Sequence, residues 1–108
     1  MNEYSHDELI PIASKLVLDH FGLEDFSVKM EGDRMLAFES ELKRVILYLL
    51  EKDFERLVRT MYRIDIDEEK VKYALSGLDE KDPADLIVEY VIDREMEKAR
   101  TRLKYRDI

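Results

Sequence analysis

The chain contains no cysteine, only two prolines and three glycines, and no long apolar run. Without cysteine, disulfides, thiolate catalysis, iron–sulfur clusters and cysteine-based zinc sites are excluded. Few helix breakers, set among many Leu, Glu, Lys, Arg and Met residues, favour helix. A membrane span needs about 20 apolar residues in succession. The longest run here is Val45 to Leu50.

Recognisable catalytic motifs are missing as well. There is no Gly-x-Ser-x-Gly, no phosphate-binding loop and no dinucleotide fingerprint. His6 and His20 stand far apart, with no His-x-x-His or His-Glu-x-x-His spacing, so nothing local converges on a metal. With 26 acidic residues, neighbouring carboxylates arise by coincidence and do not identify an acid–base pair. The start Met-Asn-Glu-Tyr-Ser-His is polar and acidic, unlike a signal peptide. These absences predict a cytoplasmic protein that is not an enzyme and needs no cofactor or metal.

What is present describes a folded object. At 108 residues the chain reads as one domain, residues 1–108. Charged residues reach 41%, but hydrophobic ones still make up 45%, too many for a disordered acidic tail. The net charge of −8 repels phosphates on average, so nucleic acid is disfavoured as a partner. That charge is unevenly placed. Residues 94–108 carry six basic and three acidic side chains, whereas the rest is strongly acidic, leaving a basic tip on an acidic body.

Periodicity predicts an all-α compact bundle of four to five helices. Ser5-x-x-Glu8 has capping-box spacing, and Leu9, Ile12, Ala13, Leu16, Val17 and Phe21 follow at helical intervals. The first helix therefore runs from residue 7 or 10 to 21; Pro11, which has no N–H to donate, blurs its start. Residues 23–34 suit a loop or a small hairpin turning at Gly32, with the loop favoured.

A second helix spans 35–52, with Leu42, Val45, Ile46, Leu49 and Leu50 as its stripe. Leu47 and Tyr48 extend the stripe into a helix apolar nearly all round, which predicts cover on more than one side, from this chain or from a second copy. Asp53 either caps a third helix over 53–64 or marks a kink, with Phe54, Leu57, Val58, Met61 and Ile64 facing inward. Asp67 starts a short helix over 68–76 that Gly77 ends. Asp82, Pro83 and Asp85 begin the last helix, 83–105, along which Leu86, Ile87, Tyr90, Val91, Met96, Ala99 and Leu103 share one side.

The stretch Tyr62-Arg63-Ile64-Asp65-Ile66-Asp67-Glu68 follows Asp53-Phe54. After it come Ala84-Asp85-Leu86-Ile87 and the spacing Arg94-x-x-x-Lys98-x-x-x-Arg102. Over about residues 53–103 this resembles a group of small bacterial helical proteins of uncharacterised activity. The resemblance implies a compact helical protein of bacterial origin and implies nothing about chemistry.

Two surfaces are candidates for function. The basic cluster Arg94, Lys98, Arg100, Arg102, Lys104 and Arg106 is one; Arg94, Lys98, Arg102 and Arg106 recur every four residues, with Arg100 and Lys104 roughly opposite. Glu95 and Glu97 interleave with these cations, as on a salt-bridged solvated face. Val45, Ile46, Leu49 and Leu50 are the other, as either a dimer face or core. The acidic turn from Asp65 to Glu69 is not an EF-hand, since Lys70 stands where that loop needs Gly and Ser76 where it needs Glu. Tyr48, Tyr62, Tyr73 and Tyr90 are expected at the core edge. The expected function is a protein–protein interaction or assembly module, a homodimer first of all. The alternative is a regulatory protein contacting nucleic acid through its basic last helix, where Tyr105 could stack.

Overall fold

A computed structural model describes residues 4–106. Its helices are α1 (His6–His20), α2 (Arg34–Lys52), α3 (Phe54–Arg63), α4 (Glu68–Ser76) and α5 (Pro83–Arg106). No strand occurs among the described residues, so the stretch between α1 and α2 is a loop and not a hairpin. Phe26 anchors that loop by meeting Phe38 of α2 edge-on, with ring centroids 6.0 Å apart.

Capping chemistry sets each boundary. Ser5 accepts from the Glu8 N–H while the Glu8 carboxylate accepts from the Ser5 N–H, so α1 starts at His6. Pro11 sits inside α1 without ending it. Asp53 is at once the last cap of α2 and the first of α3, accepting from the Arg56 N–H at 3.3 Å, so the chain breaks there and does not merely kink. Asp82 accepts from the Asp85 N–H at 3.0 Å, just before Pro83.

The helices α1 and α2 both pack on α5, and α3 and α4 close the remaining sides. Leu9, Ile10, Ala13, Leu16, Val17 and Phe21 of α1 meet Ile87, Val91, Met96, Ala99 and Leu103 of α5 in one core, completed by Phe38, Leu42, Ile46, Leu49, Leu57, Met61 and Ile64. Val45, Ile46 and Leu49 are buried inside the single chain and Leu50 partly so, which makes this face core.

The apolar run in α2 is nonetheless not covered all round. Leu47 and Tyr48 are 49% and 61% exposed, because they lie on the side of α2 away from the core. Phe54, expected inward, is exposed because it is the first residue of α3 and precedes the turn that faces the core. Of the four tyrosines expected at the core edge, Tyr48, Tyr62 and Tyr73 stand in solvent and Tyr90 is half-buried, with the Lys70 ammonium 5.4 Å from its ring centre.

Candidate functional site

Two arrangements of polar side chains stand out, one buried and one on the surface. The buried one begins at the end of α1. Gly22 takes a left-handed φ of 63°, its N–H donates to the Asp19 carbonyl, and the Leu23 N–H reaches back to Leu18. Arg56 of α3 donates from Nη2 to the carbonyls of Phe21 and Gly22, and Arg63 Nη1 to that of His20. Two guanidinium groups thus close the negative end of the α1 dipole.

Beside them Glu95 of α5 is fully buried, with one carboxylate oxygen 2.8 Å from His20 Nδ1 and the other without a hydrogen-bond partner among the described residues. Burial pushes the Glu95 carboxyl above the usual carboxylate range, while His20, Lys98 and Arg94 act in the opposite direction. Its expected place on a solvated face is therefore wrong. Glu95 lies on the row Val91, Glu95, Ala99, four residues apart, which α5 turns toward the core. That spacing was legible, but an acidic residue on it was not read as buried. The pair ties α1 to α5.

The acidic turn serves the same packing. Asp67 caps α4, accepting from the Glu69 N–H at 3.1 Å, and Glu68 pairs with Lys72. Asp65, with φ of 66°, ends α3: its N–H donates to Tyr62 and that of Ile66 to Met61. Its carboxylate then meets Arg94 at 3.6 Å and Lys98 at 3.4 Å.

The basic cluster is consequently split. Arg94 also donates to the Ile64 carbonyl and pairs with Glu97, so Arg94 and Lys98 clamp α5 to the α3–α4 turn. Arg100, Arg102, Lys104 and Arg106 are exposed and form no ion pair among the described residues. Tyr105 stands beside them, 68% exposed.

On the opposite flank of α5 an open groove of about 980 Å³ runs between α5 and the first half of α2. Its apolar wall is Met35, Leu36, Val88, Ile92 and Met96, and Leu36 is 60% exposed. Lys43 spans it to Asp85 at 2.7 Å, and Lys81 pairs with Glu89 along the edge. Of its other charged residues, Glu39, Asp93 and Arg100 have no ion-pair partner among the described residues. The Asp93 side chain is exposed, yet partial desolvation by its surroundings and the neighbouring Glu89 push its carboxyl up. Sequence reasoning missed this groove, because it depends on how far apart two helices pack.

No protein-family model, curated protein or solved structure matches the chain. No helix among the described residues is long and apolar enough to cross a membrane.

Proposed function

We propose that the chain is a non-enzymatic protein–protein interaction module that assembles first with itself. The supporting observation is the groove between α2 and α5: an apolar wall, a charged rim and an exposed leucine. Apolar centre and polar rim are the anatomy of a protein interface. A small-molecule site instead gathers a few polar groups toward one point. Here the rim charges are spread along the groove, four of them tied in the pairs Lys43–Asp85 and Lys81–Glu89, and do not converge on one point. One face of α2 is used up in the core; in the groove Leu36 is the apolar side chain that stands open, above the buried Val88, Ile92 and Met96. Light scattering across micromolar concentrations tests the reading. A mass that rises to twice 12.9 kDa supports it, and a strictly monomeric mass removes self-association.

A second reading rests on a different observation. Arg100, Arg102, Lys104 and Arg106 project without ion-pair partners among the described residues next to exposed Tyr105, which suits a phosphate backbone with a stacked base. It predicts oligonucleotide binding that falls steeply with salt and is lost when Arg100, Arg102 and Lys104 are reversed in charge. An absence of binding at low salt ends this alternative.

A further inference from the structure

The charges along α5 are ordered in a way that the groove alone does not require. Glu89, Asp93, Glu97, Arg100 and Lys104 share one face, within roughly 80° of arc at 3.6 residues per turn. In chain order that face is acidic through Glu97 and basic from Arg100. Glu89, Asp93, Glu97 and Arg100 line the groove, above the apolar Val88, Ile92 and Met96. A face that reads acid then base is complementary to itself when reversed.

We infer that a second copy of this chain occupies the groove, its α5 lying antiparallel to the first about a two-fold axis near Met96 and Glu97. This deepens the self-assembly reading and rests on it. One register brings Asp93 opposite Arg100 of the other copy and Glu89 opposite its Lys104, and the symmetry repeats both pairs. Such an isologous contact closes at two copies and leaves no free sticky face.

The intrachain pairing favours this occupant. Asp93, Arg100 and Lys104 have no ion-pair partner of their own among the described residues, so the Asp93–Arg100 pairs break no existing bridge, while Glu89 shares its carboxylate between Lys81 of its own chain and Lys104 of the other. Glu97 would approach its own copy near the axis, but Arg94 Nη1 already lies 3.1 Å from it and offsets the repulsion. Leu36 and Met35 of α2 supply apolar area beside the same groove. A head-to-tail arrangement would leave a free groove at one end of an open chain and an unused docking patch at the other.

The test uses single and mixed charge reversals in the full chain. Asp93 and Arg100 are exposed, so the variants should fold, as circular dichroism and the denaturation midpoint will report. Asp93→Arg and Arg100→Asp each set like charges together twice, and each is expected to weaken the dimer by about tenfold or more. Mixing the two variants creates two attractive pairs, so a heterodimer should form where neither variant dimerises alone. The double variant on one chain should recover the wild-type dimer. Leu36→Asp should also dissociate it while keeping the fold.

If wild type dimerises and neither reversal weakens it, this surface is wrong while self-assembly stands. Loss of dimer in both single variants with no rescue on mixing overturns the antiparallel register. A wild type that stays monomeric removes both the surface and the reading beneath it.

Discussion

Asp65 and Glu95 each hold a conformation or charge state that the surrounding structure imposes. At Asp65 the left-handed φ of 66° is one that side chains other than Asn and Asp tolerate poorly. Replacing it by Gly and by Ala removes the contacts to Arg94 and Lys98 equally, so the difference between the two variants isolates the backbone. Asp65→Gly should exceed Asp65→Ala in stability by about 1 kcal/mol in urea denaturation.

At Glu95 the buried carboxylate depends on His20 for its single hydrogen bond. His20→Ala should cost about 2–3 kcal/mol, since it removes this hydrogen bond from a buried carboxyl group. Glu95→Gln should cost less, because an amide carries no charge. The pH dependence has a definite sign. Burial raises the Glu95 carboxyl, so the folded chain holds that proton more tightly than the unfolded one. Stability from this group is greatest at low pH and declines as pH rises above the ordinary carboxylate range. The decline should disappear in Glu95→Gln, measured by urea midpoints at stepped pH; equal slopes in the two proteins would refute it.

At the scale of elements, the helices are joined end to side as well as face to face. Arg56 of α3 closes the last turn of α1 by donating to the carbonyls of Phe21 and Gly22. Arg56→Met keeps much of the side chain's bulk and removes both donors. It should destabilise by about 1–2 kcal/mol and raise amide exchange first at the end of α1. Gly22 has a positive φ, and a Cβ there would lie 3.5 Å from the same guanidinium, so Gly22→Ala should act in the same direction. The boundaries themselves were legible in the sequence, because Ser5, Asp53, Asp67, Gly77 and Asp82 cap by short-range chemistry that local spacing reveals. Arg56 was not legible as a cap. Its acceptors lie 34 and 35 residues away, and nothing local distinguishes it from Arg59.

For the whole molecule, α2 turns Leu49 into the core and Leu36 out into the groove. Leu49 is 1% exposed, so Leu49→Asp should unfold the chain, by more than about 4 kcal/mol. Leu36 is 60% exposed, so Leu36→Asp should leave the thermal midpoint nearly unchanged. A calorimetric scan of both variants decides which face is core.

The amino-acid order alone determined that this protein is a helical bundle and where most of its helices begin and end, because capping and periodicity act over one or two turns. It also separated a basic tip from an acidic body. Only the tertiary structure decided that Glu95 is buried, that Arg94 and Lys98 clamp a turn instead of facing a partner, and that α2 and α5 part to leave a groove. Those outcomes turn on which surfaces meet across long stretches of chain, and local spacing carries no record of that.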